Sequence, residues 1–229
     1  MQARTNIIAA IRAHLPALSE RAQMTRVGTG KFNESWYVRD ATFDLIIRIA
    51  PLPNVPTLFY ETGMMAQEPE IHRLLRTQTA IPVPRILAYD DRCELLPSPF
   101  IIMERLPGVA LSAAPQLDID HVFHQVGGYL AQLHRITRPQ FGYLGEHHPM
   151  PPQDSWFAAF ALMWERLIAD VASTGHYSAA EQGLLLDLLL QHRSAFLHLP
   201  AASLLHMDVW AENILVDPTT SRVTGLIDW

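Results

Sequence analysis

Residues 206–229 constrain this chain more than any other stretch. They read H-M-D-V-W-A-E-N, then I-L-V, then D-P-T-T-S-R, then V-T-G-L-I-D-W. The short apolar run at 203–205 leads into the first segment. Residues 214–216 and 223–227 are apolar or β-branched, and they flank a turn rich in Pro, Thr and Ser, which is the pattern of a β-hairpin. A hairpin returns the chain to the end from which it left. It therefore brings Asn213, just before the first strand, close to Asp228, just after the second. Asp208 sits in the loop that enters the hairpin.

An H-x-D-x-x-x-x-N loop followed by an apolar strand ending in Asp is how a kinase-type phosphotransferase presents its base and its metal ligands. Phosphoryl transfer asks for little covalent work from protein side chains. It needs an acceptor hydroxyl held in line and a cation to offset charge on the phosphate oxygens. Asp208 is the candidate to face the acceptor. Asn213 and Asp228 are the candidate Mg²⁺ ligands, since Mg²⁺ takes a few hard oxygens and fills its remaining positions with phosphate and water. Alone, the loop pattern would fit a hairpin with polar surface residues. The attached strands and the terminal I-D-W favour the chemistry.

With the stretches that precede it, this segment resembles the aminoglycoside phosphotransferase family, small-molecule kinases of the protein-kinase-like fold. R-V-G-T-G-K-F-N at 26–33, before W-Y-V at 36–38, looks like the family's nucleotide loop between two strands. D-L-I-I-R-I-A at 44–50 looks like its third strand. E-P-E-I-H-R-L-L at 68–75 and I-P-V-P-R-I-L at 81–87 look like its N-lobe helix and the strand after it. F-I-I-M-E-R-L-P-G at 100–108 looks like the hinge, and G-Y-L-A-Q-L-H at 128–134 like the first C-lobe helix. Each piece is weak alone. Their order along one chain is specific.

The resemblance implies an α+β, two-lobed protein-kinase-like fold. Its N-terminal nucleotide-binding lobe would span 1–105, with a small antiparallel sheet and one main helix. A mostly helical lobe would span 106–229. In the family the chain continues past the metal-binding Asp as several helices, so a C-lobe truncated at its C-terminal end is expected here. Gly28, Gly30 and Asn33 would belong to the phosphate loop, where missing side chains let backbone amides approach. No Gly-Lys-Ser/Thr follows, so this is not a Walker loop. Arg48 stands where protein kinases carry Lys, and its guanidinium can hold phosphate oxygens in a bidentate way. Glu68 matches the helix glutamate that pairs with this cation, and Glu70 lies on another helix face. The carbonyl of Glu104 and the amide of Leu106 would meet the adenine edge, with Met103 lining that pocket. His206 would brace the catalytic loop through backbone hydrogen bonds.

Composition narrows the partners. A formal charge of −6 argues against a general nucleic-acid binder and suits a cationic substrate. Cys93 is alone, so no intrachain disulfide forms and a reducing, cytoplasmic setting is the default. The first residues carry charge and no long apolar run, which reads as no signal peptide. The leucine-rich stretch 184–190 is too short to span a bilayer, so no membrane partner is expected. His121, His124, His147 and His148 lack the companions that a zinc site needs and read as scattered histidines.

Periodicity places helices at 6–15, 59–75, 118–136, 155–172 and 178–196. Strands are expected at 23–27, 36–38, 43–49, 83–89, 100–103, 214–216 and 223–227. Two functions fit the whole. The first is an ATP- or GTP-dependent phosphotransferase acting on a small-molecule hydroxyl, with Mg²⁺, and with Asp208 as base. The second is a non-catalytic module that binds nucleotide or a partner chain.

Overall fold

Ile7, Ile8 and Ile11 recur at helical spacing, and they form one stripe of the first helix, α1 (Gln2–His14), which stops short of Pro16. The computed structural model describes residues 2–28, 32–52, 54–114, 116–144, 149–196 and 201–229. Gly30, His147 and His148 lie outside the described residues.

Along the chain, α1 is followed by β1 (Gln23–Arg26), β2 (Glu34–Arg39) and β3 (Asp44–Ile49). Helix α2 (Glu68–Gln78), β4 (Ile86–Asp90), β5 (Phe100–Glu104) and the short β6 (Val109–Ala110) come next. Then come α3 (Ile119–Leu133), β7 (Thr137–Arg138), α4 (Trp156–Ser173) and α5 (Ala179–Gln191). The chain closes with β8 (Ala202–Ser203), β9 (Ile214–Val216) and β10 (Val223–Leu226). Among the described residues, no helix is long and apolar enough to cross a membrane. Contacts divide the chain into two units: Met1–Val55, Glu68–Gln132 and His206–Trp229 form one, and Pro56–Gln67 with Leu133–Leu205 form the other.

The first unit is built on a five-stranded antiparallel sheet in the order β1-β2-β3-β5-β4. Strand β3 shows how the sheet sorts its side chains. Leu45, Ile47 and Ile49 point to one face and are buried with Ile7, Ile8 and Ile11 of α1, Val38, Phe100 and Ile102. Burying each such side chain contributes about 1.5–3 kcal/mol. Period two sends Arg48 to the opposite face, where its register partner on β5 is Ile101. Helix α2 begins with Glu68 and Glu70, acids that suit the N-terminal end of its dipole, and it buries Ile71, Leu74 and Leu75.

A second, three-stranded sheet in the order β10-β9-β6 carries the hairpin. Its turn is closed by Asp217, whose Oδ1 accepts from the Thr219 amide at 2.8 Å and the Thr219 hydroxyl at 2.6 Å. Gly108 has a φ of +104°, and a Cβ there would sit 2.6 Å from the Val216 carbonyl oxygen. Beside it, the Thr224 hydroxyl donates to the Pro107 carbonyl at 2.6 Å. Leu106-Pro107-Gly108 is thereby seated on β9 and β10.

The other unit is mostly helical. Ser155 caps α4 by accepting from the Ala158 amide, and Ser178 with Glu181 forms a reciprocal capping box on α5. Helices α4 and α5 are joined by the Trp164 indole, which donates to the Leu185 carbonyl at 3.0 Å. Phe157, Phe160 and Trp164 of α4 form an aromatic cluster with Phe196.

The helix expected over 59–75 is broken. Gly63 adopts a φ of +71°, a short 3₁₀ turn occupies Met64–Gln67, and only then does α2 begin. The Phe59 amide donates to the Asp170 carboxylate at 2.6 Å, a contact that holds this segment outside helical geometry. Likewise α5 ends at Gln191, and a separate 3₁₀ turn follows at Arg193–Phe196.

Candidate active site

The hairpin places its three polar groups through backbone bonds. The Ile227 amide donates to the Asn213 carbonyl at 3.0 Å, which joins the segments just before β9 and just after β10. The buried Asn213 side chain then donates to Asp208 twice, to its carbonyl at 2.9 Å and to its carboxylate Oδ2 at 2.8 Å. Both amide hydrogens of Asn213 are thus committed to Asp208, and its amide oxygen remains an acceptor. The Asn213 amide closes a turn on the Trp210 carbonyl at 3.0 Å. The Ala211 carbonyl accepts from the Ser112 amide at 3.3 Å.

His206 sits behind this loop. Its Nε2 is 3.0 Å from the Ile227 carbonyl, and its Nδ1 accepts from the Asp208 amide at 3.3 Å. That pair of contacts requires the neutral ring with the proton on Nε2. Burial lowers the pKa of the imidazole below its ordinary value, which keeps it neutral. The ring packs against buried Trp229 at 4.2 Å between centroids, and the Trp229 indole donates to the Leu226 carbonyl at 2.7 Å.

Arg48 joins the sheet to the hairpin. Its Nη1 donates to Glu68 Oε2 at 2.8 Å and its Nη2 to Asp228 Oδ1 at 2.7 Å. Glu68 and Arg48 are largely buried, whereas half of the Asp228 side chain is exposed. Burial pushes the Glu68 carboxyl up to about 7, against the pull of Arg48 and with a smaller push from Asp228. One helical turn along, buried His72 donates from Nδ1 to the Pro84 carbonyl at 2.9 Å. Because that partner can only accept, Nδ1 carries the proton. Burial lowers His72 to about 4, and its Nε2 has no partner among the described residues.

Not every candidate is gathered here. Gly28 is exposed, and the space a Cβ would occupy there is open. Asn33 lies just before β2, and the Val27 amide donates to the Ser35 carbonyl at 2.9 Å, which closes this loop at its base. Met103 is buried on β5 opposite Ile46 and Ile86. The Glu104 amide is used by the Arg85 carbonyl at 3.0 Å, and the Leu106 side chain packs against Gly225.

Sequence reasoning assigned Arg48 and Asp228 to separate tasks and missed their direct ion pair. It also missed the seat of Gly108, for which an isolated glycine facing a strand was the available signal. Nothing local in the sequence announced the packing of Trp229 on His206.

The donor set suits a hard cation only in part. Among the described residues, no group of three or more His, Cys, Asp or Glu side chains could hold a metal unaided. The Asn213 amide oxygen and the Asp228 carboxylate supply two hard oxygens, a number that suits a cation bound jointly with phosphate and water.

Comparisons with known proteins identify the family and the fold. The model of the phosphotransferase enzyme family (APH) matches residues 23–229. A probable ketoamine kinase of Escherichia coli is 26% identical over 204 residues, covering 82% of this chain and 62% of its own length. Acyl-CoA dehydrogenase family member 10 of Mus musculus is 24% identical over 215 residues, covering 87% of this chain and 18% of its own length. The chain thus spans less than two thirds of these curated relatives. Among solved structures, the aminoglycoside phosphotransferase APH(4)-Ia in ternary complex with AMP-PNP and hygromycin B superposes with a TM-score of 0.67 at 16% identity, covering 98% of this chain and 71% of that one. A putative fructosamine-3-kinase from Haemophilus somnus gives 0.64 at 20% identity, covering 91% and 67%. The fold is therefore the α+β protein-kinase-like fold, and the chain belongs to the phosphotransferase enzyme family.

Proposed function

We propose that this chain carries the catalytic core of a small-molecule kinase, which transfers the γ-phosphate of ATP or GTP to a hydroxyl. The observation that carries the proposal is the Asp208–Asn213–Ile227 linkage, which fixes one carboxylate and one amide oxygen beside Asp228. Asp208 orients the acceptor hydroxyl and takes its proton. Asn213 and Asp228 would hold Mg²⁺, which when bound offsets charge on the transferred phosphoryl group. Arg48, steadied by Glu68, grips nucleotide phosphates beneath a loop that includes Gly28, Gly30 and Asn33. The Glu104 carbonyl, the Leu106 amide and Met103 receive the base. The nucleotide lobe would end at 105, where the sheet is complete and the chain turns through Gly108, with the helical lobe at 106–229. A reaction that consumes nucleoside triphosphate suits the cytoplasm, as does the lone exposed thiol of Cys93.

The ketoamine kinase and aminoglycoside phosphotransferase relatives support sugar-like amines as the acceptor class. The test is acceptor-dependent release of nucleoside diphosphate, with ATP or GTP, Mg²⁺, and fructosyl-lysine, hygromycin B and kanamycin as probes. Asp208→Asn should reduce turnover by about 10²–10⁴-fold and leave nucleotide affinity within about twofold. Equal loss of both would reject the role of Asp208. Stabilisation by nucleotide with no consumption on any acceptor would favour the non-catalytic reading.

A further inference from the structure

The loop around Asp208 contains a residue whose backbone conformation disfavours a side chain and whose side chain is mostly exposed. Met207 has a φ of +68°, the left-handed region that suits glycine and strains a side chain. The strain is imposed from both sides. His206 is pinned to the Ile227 carbonyl, and the Asp208 carbonyl and amide are held by Asn213 and His206. Glycine would make this turn without strain. Yet the chain has Met there, with a relative exposure of 75%. Packing within the described residues therefore does not explain it. Trp210, on the same loop, is also a large apolar residue left 47% exposed. Two large apolar residues thus stand one position before and two positions after Asp208 in the same loop, and a thioether with an indole favours rings and alkyl groups.

We propose that Met207, with Trp210, is an apolar specificity element for the acceptor. It contacts a hydrophobic substituent next to the hydroxyl that faces Asp208. The inference rests on the assignment of Asp208 given above. It implies acceptors that pair a sugar-like hydroxyl with an aromatic or alkyl group, and it disfavours uniformly polar ones.

Calorimetric binding of two probes, fructosyl-phenylalanine and fructosyl-glycine, tests this. They share the sugar and the amine and differ in the apolar group. The wild-type protein, with nucleotide and Mg²⁺ present, should bind the aromatic probe about tenfold more tightly. Met207→Gly should reduce that preference to about twofold and raise the melting temperature by about 2 °C as the strain is relieved. Met207→Leu should keep the preference. Equal affinity for the two probes, no binding of either, or an unchanged preference in Met207→Gly would each overturn the proposal. So would a melting temperature several degrees lower in Met207→Gly, since the side chain would then be structural. Preference in binding without phosphate transfer to either probe would support the specificity element and count against the phosphotransfer reading instead.

Discussion

The Arg48 guanidinium meets the Asp228 carboxylate at 2.7 Å across 180 positions of sequence, while its other terminal nitrogen holds Glu68 at 2.8 Å. One cation therefore joins the sheet, α2 and the hairpin of the first unit. Removing it leaves Glu68 buried without compensation. Arg48→Met should cost about 3–5 kcal/mol at pH 8. At pH 5 the cost should shrink, because the carboxyl, already raised to about 7, takes up a proton instead. Urea unfolding at the two pH values measures this, and equal losses would show that Glu68 does not carry the effect.

Glu68 and His72, one turn apart on α2, titrate with opposite consequences for stability. The Glu68 carboxyl is raised from 4.5 to about 7, so its contribution is complete below pH 4.5 and is lost as pH rises through 7. His72 is lowered from 6.5 to about 4, so its contribution is complete above pH 6.5 and is lost as pH falls through 4. Each amounts to roughly 3 kcal/mol. Relative to Glu68→Gln, the wild type should weaken as pH rises from 4.5 to 7. Relative to His72→Gln, it should weaken as pH falls from 6.5 to 4. Stability difference curves of the same sign for both variants would refute the assignment.

His206 supports the loop around Asp208 while neutral. Its replacement by Ala leaves the Ile227 carbonyl and the Asp208 amide without their partner and removes the ring against Trp229. His206→Ala should therefore destabilise by about 1–3 kcal/mol. The near-ultraviolet dichroism of Trp229 should change with it. Unaltered dichroism together with unaltered stability would mean that the brace is dispensable.

Two glycines separate backbone obstruction from side-chain obstruction. A Cβ at Gly108 would press on the Thr224 hydroxyl and lie 2.6 Å from the Val216 carbonyl oxygen of β9, which cannot move away, and the φ there is left-handed. A Cβ at Gly225 would meet mainly the side-chain methyls of Leu106 and Leu215, at 2.8 and 2.9 Å. Those methyls can rotate away, and a β-strand carbonyl cannot. Gly108→Ala should cost about 2–4 kcal/mol and Gly225→Ala about 1 kcal/mol, read from denaturant midpoints. The reverse order would be incompatible with this seating.

What the sequence made legible was local. Ile214, Val216, Val223 and Leu226 are buried in the hairpin that apolar, β-branched runs and turn chemistry foretold. The split between Ile47 and Arg48 follows from period two alone. What escaped was non-local. Met64 and Met65 continue a helical pattern, but Gly63 and the Phe59–Asp170 contact interrupt it. The two residues of β6 make a strand only because β9 accepts them. The candidate residues at the hairpin were read by spacing. The ion pair between Arg48 and Asp228 depended on distant segments meeting, which no spacing encodes. Gly30 falls outside the described residues.

The first unit is discontinuous in sequence, since 133–205 belongs to the other unit. On the ribosome this sets an order of events. The five-stranded sheet can form once β5 has emerged, but β6 then lacks its neighbour and Arg48 lacks one of its two carboxylates. At about 5–20 residues per second, the stretch 133–229 takes roughly 5–20 s to synthesise. A sheet formed in that interval would hold Arg48 against Glu68 but not yet against Asp228, and the hairpin completes the pair when it arrives.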